Sequence, residues 1–219
     1  MSELRVIPVT GLPEVRPGDD LAALLAAATT FEPGDVLVVS HKVVSKAEGR
    51  VVAGEDKLEV ILREAKRVVR RRGDLVIAET AHGFVCASAG VDASNAPEAG
   101  TLVLLPADPD ASARRLHDAL GVAVIVSDSF GRPWRRGTTD VAIGVAGLAP
   151  LLDLRGVRDA SGYELRTTEI AVADEIAAAA ELVKGKIDGV PVAIVRGLTL
   201  SGDGAARDLV MPAERDLFR

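Results

Sequence analysis

The sequence predicts a mixed α/β (α+β) protein, and three observations carry that expectation. Short apolar runs of strand length, such as Val36-Leu37-Val38-Val39, recur between longer segments with helical apolar spacing. Several glycine-rich and polar stretches break this alternation, which argues against a clean doubly wound sheet. Only 3% of the residues are aromatic although 48% are apolar, so the core must be built from Val, Leu, Ile and Ala. At 219 residues the chain can form one large domain or two small ones around a substantial core.

Residues 5–10 read as a short first strand, followed by a loop over 11–18 that holds two prolines and two glycines. Asp19 or Asp20 can cap a helix over 21–29. Pro33-Gly34-Asp35 is a turn, and 36–40 is a buried strand. The apolar positions Leu58, Ile61, Leu62, Ala65, Val68 and Val69 predict one helix over 57–72, ended by Gly73. Strands are expected at 75–79, 101–106 and 122–127. A helix over 110–120 starts in the acidic segment Asp108-Pro109-Asp110. An Ala-rich helix over 169–183 and a strand over 190–195 complete the pattern, with 80–95 as an inter-lobe region.

A net charge of -6 excludes a general nucleic-acid binder, which needs a basic face for phosphates. No apolar run reaches the roughly 20 residues of a spanning helix. The single cysteine, Cys86, has no intrachain partner, and no secretory leader is present, so the cytoplasm is the expected compartment. There is no P-loop motif, no Gly-x-Gly-x-x-Gly opening a nucleotide-binding unit and no paired-cysteine metal motif.

Four segments could carry chemistry. Ser127-Asp128-Ser129-Phe130-Gly131-Arg132-Pro133-Trp134-Arg135-Arg136-Gly137 follows a strand. Its carboxylate could hold Mg²⁺ or Mn²⁺ and its arginines could meet phosphate oxygens, or Asp128 caps a turn and the arginines are solvated. His41-Lys42-Val43-Val44-Ser45-Lys46 puts two lysines on one helical face. They either form an exposed pair or hold an anion between them. Residues 82–95 are small and polar, which suits either a ligand groove or a bulged strand at an oligomer interface, with Cys86 an inert packed thiol. Thr167-Thr168-Glu169 either caps a helix or supplies a second oxygen ligand beside Asp128.

Taken in order, Ile7-Pro8-Val9, Gly11-Leu12-Pro13-Glu14, Lys42-Val43-Val44-Ser45-Lys46, the 82–95 stretch and the Asp128 to Gly137 segment form a series. Val141-Ala142-Ile143-Gly144-Val145-Ala146-Gly147, Ala171-Val172-Ala173-Asp174-Glu175 and residues 191–197 extend it. This series, spanning nearly the whole chain, resembles the coenzyme F420-0:L-glutamate ligase family. The resemblance implies GTP-dependent addition of L-glutamate to F420-0, then of further γ-linked glutamates, through an acyl phosphate. It implies GTP contacts at Leu12, Pro13, Glu14, Val15, His41, Lys46 and Gly131, and divalent metal (Mg²⁺ or Mn²⁺) on Asp128, Thr168 and Glu169. Asp128 and Lys46 would carry catalysis, with K⁺ as a further cation.

The resemblance also implies a single domain over 1–219 with two lobes, and an intertwined homodimer that binds only small molecules. The chain ends soon after Leu217-Phe218, without the nitroreductase-like domain fused to some relatives, which implies the stand-alone form. Two positions depart from the family pattern: His41 stands where a serine is commoner, and Thr138-Thr139-Asp140 replaces Gln-Thr-Asp or Gln-Thr-Gly. A deazaflavin- or nucleotide-binding protein without chemistry, and a dimer module with a decayed site, are the other readings. The joint presence of Asp128, Lys46 and Glu169 speaks against decay.

Overall fold

A computed structural model describes residues 3–96, 98 and 100–217; Phe218 lies outside the described residues. Five strands form the central sheet: β1 (Arg5–Val9), β2 (Val36–Ser40), β8 (Ala123–Arg132), β9 (Arg135–Ala146) and β12 (Val192–Arg196). Their order is β1-β12-β2-β8-β9, with β2 and β8 parallel and the other pairs antiparallel. The mixed α/β expectation is met. No described helix is long and apolar enough to cross a membrane.

The sheet is covered on both faces, and the strands show why. Along β2, Leu37 and Val39 join one buried cluster while Val36 and Val38 join the other. That follows from the period-2 alternation of strand side chains. The first face packs under α1 (Leu21–Ala28), α2 (His41–Ala47) and α4 (Pro109–Leu120). The second packs against α5 (Val172–Lys184), whose alanines Ala173, Ala177 and Ala180 let the helix approach closely. A third cluster gathers around α3 (Lys57–Glu64), with β5 (Leu75–Thr80) and β7 (Thr101–Val103).

Local chemistry fixes the helix ends. Asp20 accepts from Ala23 N at 3.0 Å and Asp108 from Ala111 N at 3.0 Å, each satisfying a first-turn donor. Pro109 opens α4, and Gly121 closes it at φ +71°, where a side chain would be strained.

Three expectations give way. The helix over 57–72 stops at Glu64, and β4 (Ala65–Arg72) returns through Gly73 to pair with β5. Lys66 and Arg67 both reach Glu79 across that hairpin, a long-range pairing that helical spacing in one segment does not register. The loop over 127–137 is instead a long hairpin, because β8 runs on to Arg132 and pairs with β9. Asp128 therefore stands within a strand rather than at its carboxyl end. Finally, Glu169 does not start a helix. It lies in β11 (Glu169–Ile170), paired with β10 (Leu152–Asp153), and α5 begins at Val172.

Helix α4 meets β9 at Gly144. An added Cβ there would lie 2.2 Å from the backbone oxygen of Pro109. Backbone cannot yield as a flexible side chain can, so overpacking should be felt. Gly144→Ala is expected to lower unfolding free energy by about 1–3 kcal/mol in urea titration; an unchanged midpoint would show that α4 shifts freely.

Candidate functional site

The parallel pair β2–β8 ends side by side at Ser40 and Ser127, and both strands lead straight into chemistry. β2 passes into α2, which carries His41, Lys42 and Lys46, while β8 continues through Asp128. A cavity of about 290 Å³ opens here. Leu12, Pro13, Glu14 and Val15 line it, as do Lys42, Lys46 and Asp128. The end of α5 closes it with Glu181 and Lys184, Lys186 follows just beyond that helix, and Asn95 and Ala96 border it from the 82–95 side.

The two lysines of α2 are not an exposed pair. Lys42 and Lys46 are both 7% exposed, and each has its own carboxylate. Lys42 Nζ lies 2.9 Å from Asp92 Oδ2, and Lys46 Nζ donates to Glu14 Oε1 at 2.6 Å. The second contact ties the proline loop to α2. Asp92 is itself fixed by Ser94, which donates from its backbone N–H at 2.7 Å and its hydroxyl at 2.9 Å. Burial opposes ionisation of Asp92, but the Ser94 N–H and the Lys42 charge outweigh it and hold the carboxyl far below its usual range.

His41 is fully buried, with Nε2 3.3 Å from Asp128 Oδ1 and Nδ1 3.4 Å from Ser45 Oγ. Among the described residues, its Nε2 has no aligned hydrogen-bond partner. The imidazole thus backs Asp128 from behind and does not line the cavity. Asp128 keeps 11% of its side chain exposed and accepts from the N–H of Ser129 at 2.8 Å.

On the other side stands a group that sequence reasoning notes only as the end of Thr138-Thr139-Asp140 and gives no role. Asp140, 3% exposed, accepts from Ser127 Oγ at 2.8 Å, Ser129 Oγ at 2.7 Å and Lys184 Nζ at 2.7 Å. Burial pushes this carboxyl up, but the Lys184 ammonium and the three donors prevail and hold it below the ordinary value. Only the serines flanking Asp128 hinted at this in the sequence; Lys184 sits in a helical segment and gives no local sign of facing a cavity.

The remaining expected residues stand apart. Gly131 lies farther along β8, opposite Thr138, outside the cavity lining. Thr168 accepts from the N–H of Leu154 at 3.0 Å, and Glu169 faces Arg155 at 3.4 Å, both on the β10–β11 ribbon. Among the described residues, no group of three or more His, Cys, Asp or Glu side chains is placed to hold a metal by itself. Mg²⁺ does not require one, since it binds through one or two carboxylates with substrate phosphates completing its shell. A partly open carboxylate at Asp128, in a cavity bordered by four lysines, fits that donor pattern.

The family model for F420-0:Gamma-glutamyl ligase matches residues 11–197, from the proline loop through the end of β12. The chain belongs to that family. A protein of Methanopyrus kandleri named Coenzyme F420:L-glutamate ligase is 45% identical over 247 residues, covering 99% of this chain and 98% of the relative. One of the same name from Methanothermobacter thermautotrophicus is 43% identical over 250 residues, with 99% of each chain covered. The likeness thus spans every element that borders the cavity of this F420-0:Gamma-glutamyl ligase family member.

Cys86 belongs to none of this machinery. Burial first, and the Asp128 charge second, push its thiol up to about 12. The thiolate is the reactive form, so alkylation at pH 8 should be negligible in the folded protein and prompt after unfolding in guanidinium. Rapid modification of the native chain would contradict the described packing.

Proposed function

We propose that this chain catalyses the GTP-dependent addition of L-glutamate, through its amino group, to F420-0 and then of further γ-linked glutamates. The observation that supports it best is the cavity where the proline loop, α2, Asp128 and the end of α5 meet. The lysines of α2, Lys42 and Lys46, offer charge for phosphates, and family membership supplies the substrate class.

In this reading, a carboxylate oxygen of F420-0 attacks the γ-phosphorus of GTP, and the bond to the GDP oxygen breaks. The resulting acyl phosphate has a good leaving group where the carboxylate had none. The glutamate nitrogen then attacks the carbonyl carbon, the C–O bond to phosphate breaks, and the nitrogen gives up a proton. Leu12, Pro13, Glu14, Val15 and Lys46 serve the nucleotide from the cavity wall, whereas His41, buried behind Asp128, and Gly131, beyond the lining, do not meet it there. Lys46 exchanges Glu14 for a phosphate oxygen, a substitution of one anion for another with the cation already in place. Asp128 would hold Mg²⁺ or Mn²⁺, which supplies positive charge against the phosphate oxygens. K⁺ is a further cation of the same reading.

Thr168 and Glu169 would be the further metal ligands in this proposal. They lie outside the cavity lining of their own chain, so the ribbon of a second copy supplies them within an intertwined homodimer of two-lobed, single-domain subunits.

Incubation of F420-0 with the protein, GTP, glutamate and Mn²⁺ should give products heavier by one or more glutamyl units in mass spectrometry. Asp128→Asn should lower the rate by about 10²-fold or more while leaving the melting temperature near wild type. Intact F420-0 after prolonged incubation with folded wild-type protein would sink the proposal.

A further inference from the structure

Lys184 has no task in the chemistry above, yet it is among the most deeply buried side chains in the protein. It is 2% exposed at the last residue of α5. Its ammonium stands 2.7 Å from Asp140 Oδ2, 2.8 Å from Ser127 Oγ and 3.5 Å from Glu181 Oε2. Removing a lysine from water costs several kcal/mol unless its partners are good, so this position calls for an explanation.

Its surroundings provide one. Ser127 and Ser129 lie on either side of Asp128 in β8, and both hydroxyls donate to the Asp140 carboxylate. Alternate side chains of a strand share a face. Tying residues 127 and 129 to one anchor therefore fixes the rotation of the strand about its axis, and with it the direction in which Asp128 leaves. The anchor is needed at this point. The β8–β9 ladder shifts register between Val126 and Ser127, and such bulges loosen pairing and re-aim side chains. Asp140 can serve as a buried anionic anchor only if its charge is compensated, and Lys184 compensates it from α5.

We propose that Lys184 is a positioning residue for Asp128, acting through Asp140 and the two flanking serines. The inference rests on the reading of Asp128 as a metal ligand. It differs from a purely structural role for the ion pair, because a buried pair can be replaced by apolar residues without loss of stability. Such a replacement would restore folding but would leave the serines without their acceptor.

The test is Mn²⁺ binding to the full chain in the presence of GTP, read by electron paramagnetic resonance, beside thermal melting. Lys184→Met should lower the melting temperature and weaken Mn²⁺ binding by about tenfold or more. Lys184→Met combined with Asp140→Leu should recover the melting temperature but keep the weakened Mn²⁺ binding, whereas Lys184→Arg should retain most of the affinity. Wild-type Mn²⁺ affinity in the stable double variant would overturn the positioning role. Wild-type Mn²⁺ binding that Asp128→Asn leaves unchanged would overturn the metal reading, and the inference with it, before any Lys184 variant is compared.

Discussion

The Asp140 carboxylate is the constraint on which the cavity depends. It gathers two serine hydroxyls from the neighbouring strand and one ammonium from the helix behind the sheet. Through these contacts β8, β9 and α5 meet at one buried point, beside the residue best placed to face a ligand. The arrangement is costly to disturb by halves. Loss of one partner from a buried ion pair commonly destabilises by about 3–5 kcal/mol, because the other charge is left unpaired. The anchor adds side-chain ties to a backbone ladder that shifts register between Val126 and Ser127.

The charges around the cavity follow one pattern. Each lysine that borders it sits near a carboxylate: Lys42 and Lys186 share Asp92, Lys46 is near Glu14 and Lys184 near Asp140. These partners differ in depth. Glu14 is 60% exposed, so it can swing away into water at small cost, while Asp140 is sealed in. The first kind of pair suits a cation kept ready for an incoming anion, and the second suits a permanent brace. One cavity thus holds both exchangeable and fixed charge.

What the sequence revealed was what local chemistry determines. The buried strand β2 was legible from four consecutive apolar residues. The start of α4 was legible from the acidic segment Asp108-Pro109-Asp110, which caps it. The misreadings arose where a distant partner decided the outcome. Residues 65–72 carry helical spacing, yet Glu79 and the β5 backbone draw them into a hairpin. Asp128 was read as following a strand, with a turn cap as one alternative, and the pairing with β9 keeps the segment extended instead. The candidate site shows the same division. Leu12, Pro13, Glu14, Val15, Lys46 and Asp128 were singled out in sequence and meet at the cavity. Asp140 and Lys184 were missed, since a buried pair joined across 44 positions leaves no periodic trace.

In the proposed function this cavity holds a nucleotide with its phosphates between the lysines of α2 and a metal at Asp128. A crystal structure with a non-hydrolysable GTP analogue and Mn²⁺, using the anomalous signal of manganese, tests it most directly. An anomalous peak is expected within coordination distance of the Asp128 carboxylate, with Lys46 turned from Glu14 toward a phosphate oxygen. Nucleotide and manganese bound together elsewhere on the chain, with the Lys46–Glu14 contact intact, would contradict it.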